Sequence, residues 1–250
     1  MGPLLKLTST ELRLFLREPI TVVFTLALPL MVLYLLGGVF GSSVEPNAEF
    51  VVYRGFPATS WYTPAYVAVA VSGFTVISAP AHLVEYRDSG VLRRLKASGV
   101  SKLVLLASQF LIAVVIAGAG ALLLLVVALA ATDVDTPRHW VWFAVACLLA
   151  AAVLAFLGLA LGAVMPTARA AQSVGLVLWF MLLLLCGGGP PPEVLPDSLR
   201  TLGDWLPLTP VIEMVQEPWL TGTWAWHSTT IALLIGAVSA AVAWLRFRWE

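Results

Sequence analysis

The sequence predicts an all-α integral membrane protein. It has six transmembrane helices, an N-terminal amphipathic interface helix, a helical cytoplasmic loop and two short outer re-entrant helices. Three observations carry this. First, of 250 residues 60% are hydrophobic and only 11% charged, against about 25% charged in an ordinary soluble domain. Second, six stretches lack Asp, Glu, Lys and Arg and are long enough to cross a bilayer, which takes about 20 apolar residues. Third, the basic residues cluster in alternate loops. The composition excludes a soluble enzyme, a nucleic-acid binder and a disordered chain. The 14 basic residues balance 14 acidic ones, so no net field draws in nucleic acid. Apolar runs that are continuous rather than alternating exclude a membrane β-barrel.

Residues 1–19 read as a helix lying on the membrane surface. Lys6, Thr10, Arg13 and Arg17 fall on one polar stripe, and Leu5, Leu12, Phe15 and Leu16 occupy another face, the pattern of an interfacial helix. Pro19 then lets the chain turn into the bilayer. The first span, Ile20 to Phe40, is too long for a signal h-region and lacks a small-residue cleavage site, so it is expected to stay. The second span is Trp61 to Val84, the third Leu103 to Thr132, the fourth Trp140 to Ala168 and the fifth Ala170 to Pro192. The sixth ends at Leu245. Gly158 and Gly162 form a GxxxG in the fourth span, and Gly118 and Gly120 lie in the third. Small residues of this kind let helices approach closely, so all four read as packing positions.

Two segments are not expected to span. Residues 85–102, EYRDSGVLRRLKASGVSK, carry too many charges to be embedded. Val91, Leu92 and Leu95 make an apolar face while Arg93, Arg94 and Lys96 point elsewhere. A short helix of that kind either suits a groove on a soluble partner or merely enforces topology. Residues 190–222 follow an abrupt stop at Gly187 to Gly189 and Pro190 to Pro192, since proline cannot continue a helix. Their apolar pieces are too short to span and too apolar for a free loop. They read as two short helices in the outer leaflet, with Trp205, Trp219, Trp224 and Trp226 in the aromatic belt.

Orientation follows from Lys and Arg. Lys6, Arg13, Arg17, Arg87, Arg93, Arg94, Lys96, Lys102, Arg169, Arg246 and Arg248 lie on one side, and Arg54, Arg138 and Arg200 on the other. The richer side is expected to be cytoplasmic, with both termini inside. Glu45, Glu49, Asp133, Asp135, Glu193, Asp197, Asp204, Glu213 and Glu217 then all lie outside.

Catalytic signatures are missing. The sequence has no G-x-x-x-x-G-K-[ST] phosphate loop and no H-E-x-x-H or G-x-S-x-G. Asp133 and Asp135 stand alone on the outer side, where paired aspartates of an intramembrane transferase do not belong. No metal or cofactor is expected in this chain; Cys147 and Cys186 sit in apolar runs, and His82, His139 and His227 are far apart. With no Asp, Glu, Lys or Arg in the spans, a proton-coupled pump lacks its usual relay. The energy for any transport must come from another chain.

At this point the chain resembles the membrane subunits of type-2 ABC exporters, in the daunorubicin-resistance-like branch that exports drugs or lipids. ELRLFLREPITVVFTLALPLMVLYLLGGVFG is similar to the family's surface helix and first span. EYRDSGVLRRLKASGVS is similar to its cytoplasmic signature, on which Glu85, Gly90, Leu92, Arg93, Arg94, Leu95 and Ser101 match, with Gly99 where the family often has proline. LPDSLRTLGDWLPLTPVIEMVQ is similar to its segment before the last span, matched at Leu195, Pro196, Leu199, Pro207, Leu208, Thr209 and Glu213.

The resemblance implies a single transmembrane domain over residues 1–250, lodged in a bacterial cell membrane. It implies two six-span halves, the second being a homodimer copy or a sister permease, and two copies of a cytoplasmic ABC ATPase that brings ATP and magnesium. In such an assembly residues 85–102 act as the coupling helix, and the two outer helices cap the exit. The expected cargo is amphipathic small molecules, such as antibiotics, or lipids, and the membrane lipids surround it. Two alternatives stand beside this. One is a polysaccharide or teichoic-acid exporter, with Tyr34, Trp61, Tyr62 and Trp179 lining a wide channel. The other is a signalling complex without net transport.

Overall fold

The computed structural model describes residues 53–131, 134–190 and 192–249, together with 30, 31, 34 and 35. The expected interface helix with Lys6, Arg13 and Arg17, and nearly all of the first expected span, lie outside the described residues. The rest is helical. A turn at Tyr53–Gly55 leads into α1 (Ala58–Gly73), a π-helical segment (Phe74–Ser78) and α2 (Ala79–Asp88). Then come α3 (Val91–Ala97), α4 (Lys102–Ala131), α5 (Trp140–Val164) and α6 (Ala168–Leu185). A turn at Pro192–Val194 precedes α7 (Asp197–Asp204), α8 (Thr209–Leu220) and α9 (Trp226–Arg246).

Five helical units among the described residues are long and apolar enough to cross a membrane: Ala58–Asp88, α4, α5, α6 and α9. They correspond to the second through sixth expected spans. Large apolar side chains point outward from them, among them Leu122, Leu123 and Val126 on α4, Val177, Phe180 and Leu184 on α6, and Leu234 and Val238 on α9. Water would penalise so large an apolar surface, whereas lipid accepts it.

Three span ends differ from the sequence reading by four residues or more. The second span runs on to Asp88 rather than stopping at Val84. The fourth span stops at Val164 rather than Ala168, because Met165 is extended before Pro166, as a residue preceding proline prefers. Thr167 then caps α6 by accepting a hydrogen bond from the Ala170 N–H at 3.1 Å. The fifth span stops at Leu185, seven residues short of Pro192, because Gly187 turns the chain with φ 90°.

The core is built around α1, all sixteen residues of which are buried. It packs against α4, α5 and α8. Below it, Pro80 has no N–H to give to the Val76 carbonyl four residues back. The ladder widens there, and the Ala79 N–H bonds to Phe74 O, five residues away. Two other helices close onto this segment. A Cβ on Gly158 of α5 would sit 1.9 Å from Thr75 O, and one on Gly175 of α6 would sit 2.3 Å from Val76 O. Only glycine allows backbones this close. Gly162 meets Pro80 in the same way, at 3.0 Å from its carbonyl. Gly158 and Gly162 are thus packing glycines, as expected. Gly118 is not, since a Cβ there would have nothing within 4 Å.

Of the two short helices expected on the outer side, α7 is largely exposed and rests its buried Gly203 against α6, where a Cβ would sit 2.6 Å from Leu185 O. By contrast, α8 sinks into the bundle, with Val211, Met214 and Val215 at 0% exposure. Trp219 goes with it. It is 2% exposed and meets Phe143 edge-on at 5.1 Å, so it is a core residue and not part of an aromatic belt. Trp205 and Trp226 remain exposed.

Candidate functional site

The charges separate to the two ends of the bundle. At one end the loop around α3, the turn between α5 and α6 and the end of α9 are tied together. Arg87 Nη2 donates to Met165 O at 2.8 Å and to Pro166 O at 2.9 Å. The Lys102 ammonium donates to Trp244 O and lies 4.7 Å from the Trp244 ring and 5.5 Å from that of Phe247. A cation over an aromatic face at that range is attracted to it. Arg93, Arg94, Lys96, Arg169, Arg246 and Arg248 share this end. The opposite end carries Asp135, Glu193, Asp197, Asp204, Glu213 and Glu217, with Arg54, Arg138 and Arg200.

The helix α3 is defined by a glycine on each side. Gly90 precedes it with φ 75° and Gly99 follows it with φ 80°, a left-handed conformation that glycine adopts without penalty. After α3, the Gly99 N–H bonds to Lys96 O at 3.0 Å and the Val100 N–H to Leu95 O at 3.1 Å. This pair of bonds is a Schellman stop. Gly99 therefore ends the helix by a backbone turn where a proline would end it by lacking a donor.

The apolar face of α3 is turned inward. Leu92 is 1% exposed and packs with Leu83, Leu105, Leu106, Leu159, Ala243 and Phe247, and Leu95 and Val100 pack against the same cluster. The expectation that Leu92 enters a groove on a partner gives way here, because its side chain already fills the chain's own core. Seven residues are too few to hold a helix by themselves, so this cluster is what fixes α3. Arg93, Arg94, Lys96 and Ala97 are left exposed on the outer face. Glu85, expected to open the loop, instead lies within α2, where it is exposed with its carboxylate 4.0 Å from His82.

At the acidic end a network of polar contacts joins distant parts of the chain. Arg54 pairs with Glu217 at 2.7 Å. Ser228 donates to Glu213 at 2.6 Å, Ser60 to Asp135 at 3.2 Å, and Gln216 Nε2 to Trp61 O at 3.1 Å. Tyr62 donates its hydroxyl to Gly189 O at 2.8 Å, and Tyr66 donates to Gly188 O. Tyr53 stacks edge-on against Tyr62, with ring centroids 5.5 Å apart.

Of the outer residues singled out from sequence, Thr209 donates to Gly203 O at 2.5 Å and joins α7 to α8. Glu213 holds α9 through Ser228, Pro196 precedes α7 as its N-cap, and Leu199 is exposed. Pro207 lies in the turn between the two helices and is half-buried. Sequence reading did not single out Tyr53 or Tyr66, and it took Gly188 only as part of a helix stop and Arg87 only as an orienting charge. The spacing of Tyr62 and Tyr66, one turn apart on an apolar helix, is the signal that could have found Tyr66.

A bundle of long apolar helices with an apolar outer surface, a basic helical loop fixed on one end and a short buried helix at the other has the build of a multi-pass membrane protein. The family comparison specifies the kind. The ABC-2 type transporter model matches residues 4–218, and the chain belongs to that family. No curated protein matches the chain. It is accordingly a permease subunit of an ABC transporter, a multi-pass membrane protein whose assembly includes an ATPase.

Proposed function

We propose that this chain is the membrane half of an ATP-driven exporter. It moves amphipathic small molecules, including drugs and antibiotics, or lipids out of a bacterial cell, powered by two copies of a separate ATPase docked at residues 85–102. A second permease half, a copy of this chain or a sister, completes the assembly. The observation that carries the reading is the build of α3. Leu92 fixes it to the bundle, Arg93, Arg94 and Lys96 face away, and the chain enters it directly from α2 through Gly90. A rigid basic helix joined to a long spanning unit suits the transfer of motion from a soluble motor to the membrane. Arg93 and Arg94 are the contact residues on this reading, and Leu92 and Leu95 position them.

The basic end is then the cytoplasmic end, as the excess of Lys and Arg favours. In whole cells, Arg248→Cys in a background without native cysteines is expected to resist an impermeant maleimide until the membrane is opened. Labelling in intact cells contradicts this orientation. The aromatic-channel reading has less support, because Trp61, Tyr62 and Trp179 are 5%, 0% and 3% exposed and belong to the core. ATP-dependent uptake of a fluorescent amphipathic cation or a short-chain fluorescent phospholipid by inverted vesicles containing both chains tests export. ATP hydrolysis without movement of any of a broad cargo set supports the signalling alternative instead.

A further inference from the structure

We propose that Tyr62 and Tyr66 form a latch that holds the triglycine turn at residues 187–189 closed over the outer end of α6. That this latch acts on an exit rests on the export reading given above. Three observations meet here. The turn is built for a tight fold. Gly187 has φ 90°, and Cβ atoms on Gly188 and Gly189 would lie 3.0 Å from Leu183 O and 2.9 Å from Leu184 O. The chain therefore doubles back on the last turn of α6 in a way that side chains would oppose.

Secondly, the carbonyls of this turn are held from a different helix. The two hydroxyls come from α1, one helical turn apart, and meet successive residues, Tyr62 on Gly189 and Tyr66 on Gly188. Both tyrosines are 0% exposed. A buried carbonyl that loses its donor keeps the full penalty of being unpaired, which applies to buried Gly188 and in part to half-buried Gly189, so the two bonds together hold the turn. Tyr53 backs Tyr62, with the hydroxyls 3.5 Å apart.

Thirdly, the latch and α3 sit at opposite ends of one continuous unit. Ala58–Asp88 has 31 residues, which spans roughly 45 Å at 1.5 Å per residue. Tyr62 and Tyr66 lie near its outer end, and Gly90 and α3 follow its inner end. A shift of this unit on the π-helical segment moves the hydroxyls relative to the turn. Opening the turn needs only glycine torsions, whereas closing it is fixed by two hydrogen bonds.

The chain carries its own reporter. Cys186 caps α6 beneath the turn and is 5% exposed. Cys147, the other cysteine, lies within α5. The experiment uses the full-length chain in detergent, without ATPase, and measures the rate of reaction with a cationic methanethiosulfonate reagent. In a Cys147→Ser background, Tyr62→Phe with Tyr66→Phe keeps both rings and removes only the hydroxyls. Cys186 is expected to react about tenfold faster or more, since local opening is limited by the bonds removed. Each single variant is expected to fall between. The same pair of substitutions in a Cys186→Ser background is expected to leave Cys147 unchanged. A Cys186 rate within twofold of the parent overturns the latch. So does an equal acceleration at Cys147, which marks general loosening. Because no ATPase or cargo is present, either result leaves the export reading to be tested by its own assay.

Discussion

Gly158→Ala is expected to leave little folded permease in the membrane. The added Cβ would lie 1.9 Å from Thr75 O and 3.0 Å from the Thr75 carbonyl carbon. Both atoms belong to backbone, so no side chain can swing aside. The helices α5 and α1–α2 must separate, and α6 is drawn in, because Gly175 grips the next carbonyl of the same π-helical segment. Overpacking a core commonly costs about 1–3 kcal/mol and occasionally more; a backbone collision belongs at or above the top of that range. Total stability is typically about 5–15 kcal/mol, so the loss is large. Gly118→Ala on α4 is the control. It meets nothing within 4 Å and gains about 1 kcal/mol of helix propensity. Fluorescence-detected size-exclusion chromatography of detergent extracts separates the two. A monodisperse Gly158→Ala peak at parental yield contradicts the three-helix crossing described above.

The second large effect concerns the docking surface. Arg93→Glu, Arg94→Glu and Lys96→Glu together are expected to abolish recovery of the ATPase with the permease while leaving the permease folded. All three side chains are exposed, and Leu92 still seats α3 in its cluster. Placing like charges against an acidic rim costs several kcal/mol, on the order of a hundredfold or more in affinity. Leu95→Asp is a poorer test than it seems from sequence, because Leu95 packs against the same internal cluster and an aspartate there disturbs the fold itself. Parental ATPase recovery with the triple variant reduces this loop to a topology signal.

The sequence revealed elements better than it revealed their partners. Charge-free runs located the second through sixth spans because lipid imposes one requirement, apolar length, that a single segment displays by itself. Their ends were less legible. Arg169 marked a boundary that Met165 and Pro166 in fact set, because a conformational restriction before proline leaves no mark on hydrophobicity. Leu92 shows the same limit at the candidate site. The pattern Val91, Leu92, Leu95 declares an apolar face, but nothing local says whether it meets a partner or the chain's own α2, α4, α5 and α9. Trp219 was misplaced for that reason too, since a tryptophan in a segment too short to span and too apolar for a free loop suits an interface, and nothing local showed how Glu213, Gln216 and Glu217 could enter the bundle with it. Those groups are accommodated by Ser228, the Trp61 carbonyl and Arg54, all distant in sequence. The crossing of Gly158 and Gly175 on the π-helical segment needs Pro80 and two other helices at once, so only Gly158 was singled out and Gly175 was not.

Cross-linking from the tip of α3 tests most directly whether this permease is driven through that helix. Ala97 is exposed at its end, and Thr223 is exposed at the opposite end of the bundle. In a background without native cysteines, Ala97→Cys and Thr223→Cys are each treated with a short bismaleimide in membranes containing the partner ATPase. The account predicts a permease–ATPase product from Ala97→Cys and none from Thr223→Cys. An ATPase that co-purifies with the permease yet cross-links only from Thr223→Cys, or from neither position, would contradict it.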